Sequence, residues 1–485
     1  MLTYSFLNIG SDRLYEHLYK CIRKDVIHGI LSPGTKLPSK RSFAKHLDIS
    51  VITVENAYDK LIAEGYIYSI AKKGYYVADA PESGWWNYQP LTKDKVETEE
   101  AEQEPEGFNQ YLPAPAQSHK DTYFADFLSN HTRTDNFPFS IWARLMREVL
   151  AEEKESLLLP PPSGGILQLR SAIAQHLRQF RGMHVRPEQI IIGAGTEYLY
   201  GLLIQLLGHH KVIGLENPGY KKIGQIYQSS GVRCQYISMD EHGLNLKQLM
   251  DSDVNVIHLS PSHHFPTGIV TPISRRYELL GWAAGEEGRY IIEDDYDSEF
   301  RLTGKPIPAL QSIDVMERVI YMNTFTKSLA STIRISYMIL PKSLLHSFYQ
   351  KLGFYACTVS NFEQYTLARF IGEGYFEKHI NRMRSYYREQ RDRLVEQIRN
   401  SSLNTHTTIC EEHAGLHFLL NTDTNYSDEE IVRRAQAAGI RLTCLSQYFQ
   451  DDRIHSSEHI LVINYSGIAP ERIPEAVRRL AEIFR

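Results

Sequence analysis

Two spacings of apolar residues alternate along this chain, and their distribution divides it into parts. Over residues 14–30 apolar side chains return every four positions (Leu14, Leu18, Ile22, Val26, Ile30), which predicts an amphipathic helix stopped by Pro33 and Gly34. Ser39, after Pro38, is placed to cap a second helix that turns Phe43, Ala44 and Leu47 inward. Asp48-Ile49-Ser50 reads as a tight turn. Ser50 then caps a third helix in which Val54, Ala57, Tyr58, Leu61 and Ile62 share the buried face, Thr53, Asn56 and Lys60 share the other, and Glu64-Gly65 ends it. Two short β-rich pieces follow, residues 66–70 and 75–77, with Ala71-Lys72-Lys73-Gly74 as the hairpin tip. Three helices and a basic hairpin predict a winged helix-turn-helix domain over residues 1–80.

Residues 81–118 show neither spacing. Pro81, Gly84, Gly107, Pro113 and Pro115 surround an acidic run between Glu97 and Glu106, which predicts an extended acidic linker, with Trp85-Trp86 as an apolar docking point. From 119 to 485 apolar runs (189–192, 212–215, 254–259, 290–292, 319–322, 335–340) alternate with helical patterns. That predicts α/β layering on a largely parallel sheet, whose ligands bind at the carboxyl ends of the strands.

The chemistry collects at those ends. Past the run at 319–322, Lys327 stands among Thr324, Thr326 and Ser328, with Arg334 seven residues on. An amine ringed by hydroxyls and followed by a guanidinium can hold an aldehyde as a Schiff base while hydroxyls and Arg grip a phosphate, the requirements of pyridoxal 5'-phosphate. A lone lysine is most often a surface residue. Here, however, the run at 289–292 ends in Glu293-Asp294-Asp295-Tyr296-Asp297. Carboxylates at a strand end read as a metal site, a solvated loop or the partner of a protonated ring nitrogen, and the pairing with Lys327 favours the last, so no metal is expected. Gly193-Ala194-Gly195-Thr196-Glu197-Tyr198 resembles a dinucleotide turn but has Tyr198 at the sixth position; Gly195 and Thr196 are placed instead to cradle a phosphate at a helix start. Asn217-Pro218-Gly219-Tyr220 brings an aromatic ring to a loop, where Tyr220 can stack on a planar cofactor.

Length and charge sharpen the division. With 485 residues the chain exceeds what one core usually supports. A net charge of -5 excludes a uniformly basic nucleic-acid binder, yet residues 1–80 carry 11 Lys/Arg against 8 Asp/Glu, while residues 81–110 carry 2 against 8. Ser39, Lys40, Arg41, Ser50, Thr53, Asn56, Lys72 and Lys73 are therefore the candidate contacts to double-stranded DNA. Five cysteines without a C-x-x-C pair argue against a disulfide framework or a zinc site, and no apolar run reaches membrane-spanning length, so a cytoplasmic protein is expected.

The N-terminal segment L-P-S-K-R-S-F-A-K-H-L-D-I-S-V-I-T-V-E-N-A-Y-D-K-L-I-A-E-G-Y resembles the GntR family of bacterial regulators, departing at Val51, where that family has Arg. S-P-S-H-H-F-P-T-G (260–268), I-I-E-D-D-Y-D-S-E-F (291–300) and the segment 327–334 resemble fold type I aminotransferases. The full length is similar to the MocR subfamily of GntR regulators. The resemblance implies Lys327 as the Schiff-base lysine, Asp294 as partner of the pyridine nitrogen, Tyr296 on the ring hydroxyl, Tyr220 as the stacking ring and Arg334 as a phosphate or active-site contact. It also implies a homodimer and a small amine, amino acid or the cofactor itself as effector. Phe265 stands where aminotransferases have Asn, and Lys222 and Gly467 stand where relatives that grip a carboxylate have Arg. The expectation is a transcriptional regulator that senses rather than turns over; the rival is a working aminotransferase with an appended DNA-binding domain.

Overall fold

A computed structural model describes residues 2–4, 6, 13–71, 73–78, 123–128, 132–302, 308–411, 415–450 and 459–484. The chain divides into two compact units, Met1–Pro115 and Ala116–Arg485. The expected linker at 81–118, with Trp85 and Trp86, lies outside the described residues.

In the first unit three helices, Leu14–Ile27, Lys40–Leu47 and Val51–Ala63, pack through Leu18, Ile22, Phe43, Ala44, Val54, Ala57, Tyr58 and Leu61. The second and third begin as expected: Ser39 Oγ accepts from Ser42 N at 3.2 Å and Ser50 Oγ from Thr53 N at 3.1 Å, each satisfying an amide with no intrahelical partner. The first helix ends three residues short of the predicted stop. Gly29 adopts φ 70°, which breaks the helical path and leaves Ile30 exposed. The wing is a three-stranded sheet in which Gly74–Val77 lies between Lys36–Leu37 and Ile67–Ile70.

The second unit is built on an eight-stranded sheet in the order 190–193, 336–339, 319–324, 290–294, 256–259, 212–217, 233–240, 243–244. Its middle strands run parallel, and Ser336–Ile339 is antiparallel to both neighbours. Both faces are buried, which is why these strands read as unbroken apolar runs: Ile292, Ile320, Met322 and Met338 pack on one face, Ile257, Ile291 and Val319 on the other. The long helix Tyr375–Arg399 leads to a four-stranded antiparallel sheet, Thr407–Cys410, His417–Thr422, Ile460–Asn464 and Thr443–Cys444.

Strand Tyr290–Asp294 ends in three buried carboxylates that alternate in direction. Glu293 accepts the backbone amides of Leu310 and Gln311 at 2.8 and 2.9 Å. Asp295 accepts Arg181 Nη2 at 2.5 Å and the Tyr321 hydroxyl at 2.7 Å. Burial pushes Asp295 up, but Arg181 and the Tyr321 hydrogen bond outweigh it and hold the carboxyl below its ordinary value. Removing one partner of such a pair strands a buried cation. Asp295→Ala is therefore expected to lower stability by about 3–5 kcal/mol, read as a reduced midpoint in denaturant unfolding of the second unit; an unchanged midpoint would show that Arg181 finds another partner.

Candidate functional site

The carboxyl ends of the parallel strands open onto a cavity of about 550 Å³. Asp294 is delivered there because its strand lies between two parallel neighbours, Val256–Leu259 and Val319–Thr324. Its Oδ2 accepts the Tyr200 hydroxyl at 2.8 Å and faces His258 Nε2 at 3.5 Å, while His258 Nδ1 meets the Tyr227 hydroxyl at 3.0 Å. Asp294 Oδ1 is buried without a hydrogen-bond partner, and among the described carboxylates with such an oxygen only Asp294 lines this cavity. Buried carboxylate oxygens are normally satisfied, so the missing partner is a donor supplied from the cavity, best a cationic N–H.

Lys327 follows strand Val319–Thr324 on the short helical turn Phe325–Ser328. Burial pushes its amine down to about 8, against the opposing pull of Asp297. Thr324 Oγ1 lies 2.7 Å from Thr326 Oγ1 and accepts Ser336 Oγ at 2.8 Å, so the hydroxyls beside the lysine are held in one arrangement. Ser328 is not among the residues that line the cavity, and its carbonyl accepts His379 Nε2 at 2.8 Å.

Thr196, Tyr220, Asp294, Tyr296, Thr324, Thr326, Lys327 and Arg334 all line the cavity. Gly195 backs it. At φ 96° this glycine precedes helix Thr196–Leu207, and the Arg334 guanidinium lies so close that a Cβ at Gly195 would overlap it. Arg334 itself takes φ 51° and is exposed at the rim. Tyr220 stands at the mouth, edge-on to Phe265 with ring centres 6.2 Å apart. The Tyr296 hydroxyl sits 3.4 Å from His263 Nδ1, which Asp297 Oδ2 approaches at 2.8 Å.

Several residues of the site escaped the sequence reading. Tyr200 lies one helical turn beyond Thr196, a spacing that shows only once that helix is known to start at the cavity. Glu216 and His264 face each other with Oε2 and Nε2 3.4 Å apart; burial pushes the acid up to about 8 and the imidazole down to about 3, so both are neutral at pH 7. Their neighbour Phe265 serves as a wall, packed against Tyr220, His417 and Tyr448. Lys222 lines the cavity in contact with Glu197, and Asn464 also lines it while Gly467 does not. Glu197 bridges Lys222 and Arg334.

In the first unit Arg41, Asn56 and Lys73 are exposed, and Ser39 and Ser50 cap their helices. Thr53 is half-buried, its hydroxyl 2.7 Å from Ser50 Oγ. Lys40 differs from the others, because its amine is drawn to Glu55 Oε1 at 2.8 Å and Asp59 Oδ1 at 3.5 Å and ties the second helix to the third. Lys72 lies outside the described residues.

Comparison with known proteins agrees with both units. Residues 14–77 match the bacterial regulatory proteins of the gntR family, and residues 125–480 match aminotransferase class I and II. The HTH-type transcriptional regulator YdeL of Bacillus subtilis is 36% identical over 99% of each chain. The probable rhizopine catabolism regulatory protein MocR of Rhizobium meliloti is 31% identical over 97% of this chain and 94% of its own length. The chain belongs to the MocR subfamily of GntR-type transcriptional regulators. Another member, the pyridoxine biosynthesis transcriptional regulator PdxR of Corynebacterium glutamicum, is 30% identical over 88% of this chain and 87% of its own. Among solved structures the multiple substrate aminotransferase of Thermococcus profundus aligns with a TM-score of 0.67 at 22% identity, over 77% of this chain and 96% of that one. The LysN aminotransferase of Thermus thermophilus, solved with a phosphopyridoxyl-leucine, aligns at a TM-score of 0.65 and 24% identity, over 75% of this chain and 92% of that one. These likenesses show the fold of the MocR-type second unit.

The cavity fits a phosphopyridoxyl group on its own features: the unpartnered Asp294 oxygen for a ring N–H, Lys327 for the aldehyde, and the glycine-backed cradle of Thr196, Thr324, Thr326 and Arg334 for the phosphate. With its amine held near 8, about half of Lys327 is neutral at that pH, against roughly 0.3% for a lysine at the usual 10.5. Capture of pyridoxal by the cofactor-free protein should thus rise with pH to a plateau with a midpoint near 8, and Lys327→Ala should lose that phase. A midpoint above 10 would show that burial does not govern the amine.

Proposed function

We propose that the second unit binds pyridoxal phosphate as part of a sensor, and that its state controls operator binding by the first. The proposed division is residues 1–80 for DNA, 81–118 as an acidic linker and 119–485 as the sensor. One observation carries the cofactor reading: a buried, half-satisfied carboxylate, Asp294, shares a cavity with a buried amine depressed by desolvation, Lys327. When bound, the cofactor supplies an electrophilic aldehyde that captures primary amines. The chain's own residues do the rest. Asp294, fixed by Tyr200, would keep the ring nitrogen protonated; Tyr220 would cover the ring face; Tyr296 would address the ring hydroxyl; Thr196, Thr324, Thr326 and Arg334 would orient the phosphate.

Sensing is favoured over turnover by the cavity wall. Desolvation holds His264 and His417 neutral, Lys222 is hydrogen-bonded to Glu197, and Arg334 stands 3.7 Å from the same carboxylate, so among the described residues no free guanidinium fork faces a substrate carboxylate. The names of the relatives MocR and PdxR, regulators of a catabolic and a cofactor-synthesis pathway, support a small-molecule effector, an amine or the cofactor itself. A homodimer would give the regulator two DNA heads, and coupling would follow if the effector binds one arrangement of the dimer better than another. Action on an operator would require the protein to share the compartment of the DNA, the cytoplasm in a bacterium; no described helix is long and apolar enough to cross a membrane.

Purified with pyridoxal phosphate, the protein should be yellow, and borohydride should fix the cofactor onto a Lys327 peptide identified by mass spectrometry. Lys327→Ala should take up no borohydride-stable label, and Asp294→Asn should bind the cofactor more weakly. Label on another lysine would remove Lys327 from its role.

DNA affinity of the full-length protein should fall steeply with salt, since Lys and Arg contacts to phosphates release counterions. Arg41→Glu should weaken binding to every duplex tested, whereas Asn56→Ala should alter the ranking among duplexes in a random-sequence selection. Salt-independent binding would overturn the phosphate-contact assignment.

A further inference from the structure

The phosphate cradle already contains an anion. Glu197 is the acidic residue in the first turn of helix Thr196–Leu207, directly after Gly195 and Thr196. Lys222 Nζ is hydrogen-bonded to its Oε1, and Arg334 Nη2 stands 3.7 Å from its Oε2. All three side chains line the cavity. Arg334 is further placed by its contact over Gly195 and by the Ala194 carbonyl, which accepts Nη2 at 3.5 Å. The guanidinium that would clasp a phosphate and the Lys222 amine are thus both directed at one carboxylate.

We propose that Glu197 is a built-in competitor for the phosphate seat, which keeps the bound phosphopyridoxal exchangeable and lets occupancy follow its free concentration. The inference rests on the pyridoxal phosphate reading of the cavity. The hydrogen bond from Lys222, helped by the Lys222 and Arg334 charges, holds the Glu197 carboxyl below its ordinary value against a smaller opposing effect of burial, so it is an anion at neutral pH. A phosphate entering the cradle must draw Arg334 away from Glu197 and then lies beside a second negative group. Lys222 offsets part of that repulsion, and the side chains are 44–50% exposed, so water screens much of the remainder. The net effect is a weakened seat, with the cradle intact. An enzyme gains from a cofactor that never leaves, whereas a sensor responds only where its ligand is not already saturating.

The test compares two aldehydes that differ in the phosphate alone. Pyridoxal phosphate and pyridoxal are titrated by absorbance into the full-length wild-type protein, Glu197→Gln and Glu197→Ala, with thermal unfolding to establish that each variant is folded. Both variants are expected to bind pyridoxal phosphate roughly tenfold more tightly and pyridoxal with unchanged affinity. Dissociation of pyridoxal phosphate on dilution should slow by a similar factor. Unchanged or weaker binding of pyridoxal phosphate in both variants would overturn the proposal, because Glu197 would then be neutral or would help the cradle through Lys222. Equal tightening of both aldehydes would overturn it too, since the change would not act at the phosphate. If the wild-type protein and both Glu197 variants bind neither aldehyde, the cofactor reading itself fails, a result distinct from the others because no titration is then seen in any protein.

Discussion

Three consecutive carboxylates, Glu293, Asp294 and Asp295, are buried at the end of one central strand, and much of the second unit is arranged to tolerate them. Burying a charge is costly unless it is paired or hydrogen-bonded. Alternation along the strand sends Glu293 to the amides of Leu310 and Gln311. Asp295 goes to Arg181, at the end of helix Leu167–Arg181, and to Tyr321 on the neighbouring strand. Asp294 alone turns to the cavity, steadied on one oxygen by Tyr200 and left open on the other. The scaffold thus spends two acids on its own integrity and reserves the third for a ligand.

The same economy governs the opposite wall. The Lys327 amine is buried beside hydroxyls that are already bonded to one another, so it is poised by desolvation more than by a specific base. Among the described residues positive charge in the cavity concentrates on Lys327, Lys222 and Arg334, while burial holds His264 and His417 neutral. Such a distribution favours an anionic group at the Gly195 end and an aromatic body whose N–H meets Asp294. It fits a phosphorylated ring better than an amino acid held by both ends.

Sequence spacing carries local information, and it served well where local forces decide. The three helices of the first unit follow from a four-residue period and two serine caps, because a side-chain oxygen three residues from an amide acts within one turn. The first helix shows the limit: the apolar period continues to Ile30, but Gly29 at φ 70° ends the helix earlier. Lys327, Asp294, Tyr220 and the glycine turn before Thr196 were legible because strand ends in an α/β sheet converge, which brings Thr196, Tyr220, Asp294 and Lys327 to one cavity.

The amino-acid sequence by itself therefore determined the two-part architecture, the family and the principal groups of the cavity, all of which are written in periodicity and short motifs. Tertiary structure decided what holds the neighbouring acids, since strand pairing sets their directions: Glu293 meets the amides of Leu310 and Gln311, Asp295 meets Arg181, and Asp294 lines the cavity. It decided that Lys40 ties two helices together through Glu55, and that Glu216 and His264 form a neutral pair. It also brought Glu197 together with Lys222, 25 positions on, and Arg334, 137 positions on, into one cluster of charge. Contacts between residues so far apart depend on how strands and helices stack, and no local spacing records that.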